Sequence, residues 1–228
     1  VYPWEGTTVI GTTDIDHNED IDIEAGISDQ EVDYLLKAFN SQFPNKALNR
    51  SDVLSTWAGV RPVIGAEKSK DPSKERRDHA LWSDNGLITV SGGKLTTFRL
   101  IALDALAAAK DNLPQAKEIS DDRVFLTPTI TAQSLSPKNT SWAQRLLGRY
   151  GEKAIELVNE SSPDEHRNLN ETEFSLAECR WAIKYEAVVH LDDLLLRRTR
   201  LGMCLPNGGT NLYPALKELF LSNQNWDD

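Results

Sequence analysis

The residue pattern of this chain changes near residue 112, and that change constrains the fold more than any other feature. Before it, short alternating runs separated by turn residues predict antiparallel strands. Residues 112–140 are rich in Pro, Ser, Thr and Asn, which predicts a linker. Beyond the linker, apolar residues recur at helical spacing. We therefore expect an α/β (α+β) fold, with a mixed domain over residues 1–111 and an all-helical domain over residues 141–228.

Local signals predict individual elements within residues 1–111. The word Ser28-x-x-Glu31 is a capping box, and it predicts the start of an amphipathic helix. Asn85-Gly86 between apolar runs is the strongest short signal for a β-hairpin. The predicted strands are Val1–Trp4 paired with Thr7–Thr13, then Ser51–Ala58, then Arg77–Ser83 paired with Leu87–Ser91.

A Gly-Gly turn separates the last predicted strand from the helix that follows it, in the run Ser91-Gly92-Gly93-Lys94-Leu95-Thr96-Thr97. Glycine lets the backbone approach a ligand closely, and the first amides of a helix lack partners at the positive end of its dipole. Such a turn can hold a phosphate, a carboxylate or the electron-rich edge of a flavin ring. The alternative is an ordinary tight turn that carries a solvated lysine.

Three cations are candidates for an anion site. Arg61 follows a predicted strand in Trp57-Ala-Gly-Val-Arg-Pro, and Arg77 should share a strand face with His79. Together with Lys94, these arginines would form a focused site for a dianion in an otherwise acidic protein. Each residue also has a simpler interpretation, as a surface arginine or a hydrogen-bonded structural histidine.

Composition excludes several classes of function. The net charge of −10 disfavours nonspecific binding to nucleic acid. The apolar runs are shorter than a membrane-spanning helix needs. Cys179 and Cys204 have no metal-ligand spacing and are expected to be buried thiols in a reducing compartment. The four histidines form no ligand cluster in the sequence, so we expect no metal site. The acidic run Asp14–Asp33 is interpreted as a solvated connection.

Four short sequence motifs, which occur in a fixed order, carry a family resemblance. They are Pro3-Trp-Glu-Gly6 with Ile10-Gly-Thr-Thr-Asp14, Ala58-Gly-Val-Arg-Pro62, Arg77-Asp-His79, and Gly92-Gly-Lys-Leu-Thr-Thr-Phe-Arg99. In this order and at this spacing, they resemble the FAD-dependent glycerol-3-phosphate dehydrogenases. The helical tail is similar to that family as well, through Leu196-Arg-Arg-Thr-Arg-Leu-Gly202. The resemblance covers nearly the whole chain.

The resemblance implies an activity and a set of site residues. The activity is oxidation of sn-glycerol 3-phosphate to dihydroxyacetone phosphate, with hydride transfer to FAD and electrons passing to quinone. Arg61 and Lys94 would be the catalytic residues. The substrate phosphate would be bound by Arg61, Arg77 and Lys94, and FAD would be contacted by Gly92, Gly93, Lys94, Leu95 and Thr96. The resemblance also implies a cytoplasmic protein, bound peripherally to the inner membrane.

One departure from the family pattern and two alternatives accompany this interpretation. The chain has no Gly-x-Gly-x-x-Gly, the fingerprint that seats the FAD pyrophosphate on a helix N-terminus. It also has no initiator Met. We therefore expect a C-terminal fragment that is inactive alone and does not retain FAD. The alternatives are a related amino-acid oxidase that recognises a carboxylate through Arg61, and a non-catalytic helical module over residues 141–228 that serves interaction or homo-oligomerisation.

Overall fold

The chain forms two compact units. The structure is a computed structural model that describes residues 1–61, 79–113, 129–136, 138–170 and 172–223. The first unit, called the helical unit here, comprises Val1–Thr12, Ile27–Trp57 and Thr127–Asp228. The second, called the Gly-Gly unit, comprises Thr13–Gly26 and Ala58–Leu126.

Two antiparallel hairpins supply the strands of the described residues. Strand β1 (Tyr2–Trp4) pairs with β2 (Thr7–Val9), and β3 (His79–Asp84) pairs with β4 (Leu87–Gly92). Each hairpin turns through two residues of positive φ, with φ of 49° and 80° in the first turn and 47° and 85° in the second. Turns of this kind match the right-handed twist of paired strands, so the sequence prediction of both hairpins is confirmed.

Helices make up most of the remaining described chain. In order they are α1 (Asp29–Gln42), α2 (Phe98–Ala108), α3 (Ala132–Leu135), α4 (Thr140–Tyr150), α5 (Ala154–Glu160), α6 (Leu176–Tyr185), α7 (Leu201–Cys204) and α8 (Tyr213–Asn223). The predicted capping box opens α1, where the Glu31 side chain accepts a hydrogen bond from the Ser28 backbone at 2.9 Å. A π-helical segment (Asp193–Arg198) precedes α7. Among the described residues, no helix is both long and apolar enough to cross a bilayer.

The apolar core of the described residues lies mainly in the C-terminal helices. One cluster joins α6, α8, the segments between them and the residues just before α6, around Phe174, Leu194 and Leu216. A second cluster joins α4, α5 and α6 around Trp142 and Leu157. Helix α2 of the Gly-Gly unit, in contrast, buries none of its side chains. The expected α+β class, with strands first and a helical C-terminal part, is confirmed.

One predicted strand is wrong. Residues 51–58 form no strand: a 3-10 turn (Arg50–Asp52) is followed by an irregular chain up to Arg61. The Asn49 side chain accepts from the Ser51 amide at 2.9 Å, and Asp52 accepts from the Asn49 amide at 2.8 Å. These short side chains bond the local backbone in place of a neighbouring strand. The division into 1–111, 112–140 and 141–228 stays a prediction.

Candidate functional site

The Gly-Gly turn lies where β4 ends and α2 begins. Gly92 and Gly93 have φ of 79° and 83°, a region that side chains disfavour. A Cβ on Gly93 would stand 2.4 Å from the Cδ1 atom of Ile101, which lies on α2. The positive φ of Gly93 and the nearby Ile101 side chain together favour glycine at this position.

The residues after the two glycines face outward. The Thr97 amide donates to the Lys94 carbonyl at 3.0 Å, and this bond opens the short turn that leads into α2. The amides of Leu95 and Thr96 precede that first bond, and Leu95 is 87% exposed. Lys94 and Thr96 are exposed as well. The turn thus presents early helical amides beside a cation, an arrangement suited to an anion or to an electron-rich ring edge.

His79 is tied to the helix behind the turn. It pairs with Gly92 in the β3–β4 ladder, and its Nε2 lies 2.8 Å from Oδ2 of Asp104 on α2. The His79 side chain is 20% exposed. This geometry favours the structural interpretation of His79, because the imidazole joins the hairpin to the helix. Asp104 gave no sign of this role in the sequence.

Arg61 has an acidic neighbour that the sequence did not reveal. Its Nη1 lies 3.5 Å from Oδ2 of Asp14, and both side chains are partly exposed. Asp14 is therefore more than part of a solvated acidic connection, since its charge stands beside the candidate anion-binding arginine. Arg61 and Lys94 belong to the same compact unit. Arg77, the third predicted cation, lies outside the described residues.

A buried ionic network joins the first hairpin to the C-terminal helices, and sequence reasoning missed it entirely. Glu5, at the tip of the β1–β2 hairpin, lies 3.1 Å from Arg145 and 3.3 Å from Arg149, both on α4. The same two arginines approach Glu178 of α6 at 3.4 and 3.7 Å. Both guanidiniums also stack on the ring of Phe174, at 4.5 and 4.7 Å from its centroid.

Glu178 is the most deeply buried charge of this ionic network, and its side chain is fully shielded from solvent. Burial raises the pKa of the Glu178 carboxyl above its usual range, and the two neighbouring guanidiniums only partly offset that rise. The carboxyl also accepts from the amide and hydroxyl of Ser175, at 2.9 and 3.1 Å. Burial likewise raises the pKa of Tyr150, whose hydroxyl lies 3.5 Å from Glu178. These contacts hold the hairpin on the helices.

Comparison with known protein families defines the class of the chain. Residues 1–102 match the family model described as FAD dependent oxidoreductase. Residues 122–228 match the model described as the C-terminal domain of alpha-glycerophosphate oxidase. The chain therefore carries a part similar to the FAD dependent oxidoreductases over residues 1–102, followed by a part similar to the C-terminal domain of alpha-glycerophosphate oxidase over residues 122–228.

Individual relatives narrow that class. The chain is 30% identical to the mitochondrial glycerol-3-phosphate dehydrogenase of Homo sapiens, over 99% of the chain and 33% of the relative. It is 33% identical to the aerobic glycerol-3-phosphate dehydrogenase of Bacillus subtilis (strain 168), over 86% of the chain and 39% of the relative. It is 32% identical to a glycerol-3-phosphate dehydrogenase of Mycobacterium leprae (strain TN), over 92% of the chain and 38% of the relative. The resemblance to glycerol-3-phosphate dehydrogenases is thus confirmed, and the chain spans about a third of the length of the human relative.

Proposed function

We propose that the protein containing this chain oxidises sn-glycerol 3-phosphate to dihydroxyacetone phosphate and uses FAD as its oxidant. The observation that carries the proposal is the Gly-Gly turn. Two glycines of positive φ lead into α2 there, and Lys94 and the early helical amides are exposed beside them. The turn falls inside the residues that match the FAD-dependent oxidoreductase family. The names of the relatives supply the substrate.

The Gly-Gly turn fits the flavin in its local chemistry. Gly92 and residues 94–96 are exposed, so a ring can approach their backbone. FAD, when bound, supplies the acceptor for the hydride that leaves C2 of the substrate. Backbone amides at the start of a helix stabilise negative charge, which suits a flavin that has gained electrons.

Arg61 and Lys94 have overlapping but different roles in substrate binding in this proposal. A guanidinium forks onto a phosphate through two parallel hydrogen bonds, so Arg61 would bind the phosphate together with Arg77. Lys94 would contact both the phosphate and the C2 oxygen, where its charge favours loss of the hydroxyl proton as the hydride departs. Asp14 offsets part of the charge of Arg61 in the substrate-free protein, which orients the guanidinium and limits its attraction for other anions.

The fate of the electrons is a further part of the proposal. The family resemblance suggests that they pass from the flavin to a quinone, at a cytoplasmic protein bound peripherally to the inner membrane. Reduction of a water-soluble quinone analogue by glycerol 3-phosphate, with oxygen excluded, tests the acceptor. If glycerol 3-phosphate reduces the bound flavin but no quinone analogue is reduced, this part of the proposal is wrong, although substrate oxidation stands.

The central experiment compares Arg61→Ala and Lys94→Ala in the protein that contains this chain, loaded with FAD. Hydrogen bonds to charged groups contribute roughly 1.5–3 kcal/mol. Each variant should therefore lose about 10- to 150-fold in kcat/KM for glycerol 3-phosphate, a far larger change than that in its flavin content. Arg61→Lys should recover only part of the loss, because lysine cannot form the fork. Arg50→Ala is the matched control, since Arg50 pairs with Asp29 and Asp33 in the helical unit.

Glycerol, which lacks the phosphate, separates the two roles. Loss of Arg61 should damage oxidation of glycerol 3-phosphate far more than oxidation of glycerol. Equal losses on both substrates would remove Arg61 from the phosphate site. Activity on amino acids that depends on Arg61, with none on glycerol 3-phosphate, would instead support the amino-acid oxidase alternative.

A further inference from the structure

The Gly-Gly turn depends on its neighbours for its conformation. Gly92 and Gly93 both have positive φ, and glycine has more backbone freedom than any other residue. In the short 3-10 turn that follows, the Thr97 amide donates to the Lys94 carbonyl. Neither feature fixes the direction of the turn relative to β4 or α2. That direction therefore depends on contacts with the adjoining hairpin and helix.

His79 meets the turn from the hairpin side. It is the partner of Gly92 in the β3–β4 ladder. Its Cβ atom lies 3.4 Å from the place that a Cβ on Gly93 would take, and the Ile101 side chain of α2 reaches the same place. The open side of Gly93 therefore faces both His79 and Ile101, one from the hairpin and one from the helix.

The His79 imidazole also binds α2 directly. Its Nε2 lies 2.8 Å from Oδ2 of Asp104, and because a carboxylate only accepts hydrogen bonds, Nε2 carries the hydrogen. Hydrogen bonds to a charged acceptor are stronger than neutral ones. Asp104 follows Ile101 by three residues, which places both on one face of α2. The face of α2 that meets the turn is thus the face that His79 binds.

Apolar packing does little to hold α2 within the described part of the chain. None of the side chains of α2 is buried, and Phe98 and Leu100 at its start are exposed. Helices in proteins owe most of their stability to the packing of an apolar face. Because that packing is weak here, the bond between His79 and Asp104 is a major tie between the hairpin and the helix.

We infer that His79 and Asp104 are positioning residues. Their hydrogen bond fixes the Gly-Gly turn between β4 and α2, and so fixes the direction in which Lys94 and the amides of residues 95–96 face. All of these residues belong to the Gly-Gly unit. The consequence for the flavin rests on the proposed function, whereas the consequence for the turn does not.

Four variants test the pair in the protein that contains this chain. His79→Ala removes the donor, Asp104→Ala removes the acceptor, and the double variant removes both. Asp104→Asn is the conservative variant, because its amide oxygen can still accept but carries no charge. Asp84→Ala is the matched control, since Asp84 lies on the same hairpin but pairs with Leu87, at the opposite end of the ladder from His79.

Hydrogen–deuterium exchange measured by mass spectrometry needs neither activity nor bound FAD. Peptides that span residues 91–100 report on the turn and the start of α2. A net intramolecular hydrogen bond changes an equilibrium about two- to tenfold, so these peptides should exchange faster by that factor in His79→Ala and Asp104→Ala. The double variant should match the single ones, because one bond is lost only once. Peptides from α6 should be unchanged, and so should every peptide of Asp84→Ala.

Two exchange results would overturn the inference. One is exchange over residues 91–100 that is the same in His79→Ala as in Asp84→Ala. The other is a double variant in which the effects of the two single variants simply add, since the residues would then act independently. If the alanine variants unfold, Asp104→Asn decides: it should speed exchange over residues 91–100 by a smaller factor, and no change there refutes the role of the pair.

The reduction potential of the flavin is the second readout, in the FAD-loaded protein. Under the proposed function, the amides of residues 95–96 stabilise the reduced flavin, so a displaced turn should lower the potential. A preference for reduced flavin that is two- to tenfold weaker corresponds to about 10–30 mV for a two-electron couple. Both His79→Ala and Asp104→Asn should show this decrease. Loss of the Asp104 charge alone would raise the potential, so a rise in Asp104→Asn would show that the pair acts on the flavin through charge and not through position.

The two readouts separate this inference from the proposed function. Faster exchange over residues 91–100 with an unchanged potential would show that His79 and Asp104 position the turn but that the turn does not contact the flavin. The cofactor role proposed for the turn would then fail, while the inference stands. If the protein binds no FAD, the proposed function fails as a whole, and the exchange result still decides the role of the pair.

Discussion

Arg145→Ala is the change that should damage the helical unit most through a single side chain. Arg145 is only 15% exposed and lies within 3.5 Å of the carboxylates of Glu5, Glu173 and Glu178. Its removal leaves Glu5 and Glu178 buried, with Arg149 as their shared partner. It also removes the guanidinium that covers one side of the Phe174 ring.

The size of the effect follows from burial. Removing one partner of a buried ion pair costs about 3–5 kcal/mol, because the remaining charge is left uncompensated. Arg149 remains, so we expect the lower end, about 3 kcal/mol. For a chain of this length each kcal/mol lowers Tm by about 2–4 °C, so the expected decrease is roughly 6–12 °C at neutral pH.

Thermal unfolding followed by circular dichroism measures this decrease. The control is Arg167→Ala, since Arg167 pairs with Asp164 on the surface, where both side chains are about four-fifths exposed. A pair so exposed contributes little. If Arg145→Ala unfolds within about 2 °C of Arg167→Ala, the ionic network does not hold the hairpin on the helices.

Lower pH should reduce the loss of stability that Arg145→Ala causes. Burial already raises the pKa of Glu178, and loss of a neighbouring cation raises that pKa further. In the variant, the Glu178 carboxyl therefore loses its buried charge by binding a proton, which lower pH favours. A deficit that is the same at pH 8 and at about pH 5 would contradict this account of the cost.

Four further outcomes are expected. Gly93→Ala should cost about 1–3 kcal/mol in unfolding free energy, because it forces a side chain into positive φ and against Ile101; Gly26→Ala, which meets nothing within 4 Å, should not. The stability difference between wild type and Glu178→Gln should move in favour of wild type as the pH falls: the raised pKa of Glu178 means that the folded protein binds the proton more tightly, so wild type gains stability on acidification and the Gln variant does not. The 228-residue chain purified alone should show no flavin absorbance after desalting, because its sequence has no Gly-x-Gly-x-x-Gly. Limited proteolysis should cut first within residues 112–140, and earliest cuts between residues 145 and 200 would show that the predicted domain boundary is misplaced.

Local sequence determined the elements whose hydrogen bonds close within a few residues. The capping box at Ser28 predicted the start of α1, because its partner Glu31 is three residues away. The Asn85-Gly86 turn predicted the second hairpin, because only a few residue types adopt positive φ. Helical spacing of apolar residues predicted the C-terminal helices, since this spacing can be recognised without knowing which element packs against each helix. Four short words in order were enough to indicate the family, which the comparisons confirmed.

Tertiary structure alone decided which distant charges meet. Glu5 and Arg145 are 140 residues apart, and no spacing rule connects a hairpin tip to a helix face at that distance. Asp14 reached Arg61 in the same way, so an acidic run that looked uniformly solvated contains the neighbour of a candidate catalytic residue. The missing strand at residues 51–58 has the same origin. A strand exists only if another strand pairs with it, and here the segment bonds its own side chains and the Met203 carbonyl instead. Sequence specifies local conformation through short-range sterics and hydrogen bonds, whereas the neighbour of Arg61 is set by a contact between residues far apart in the chain.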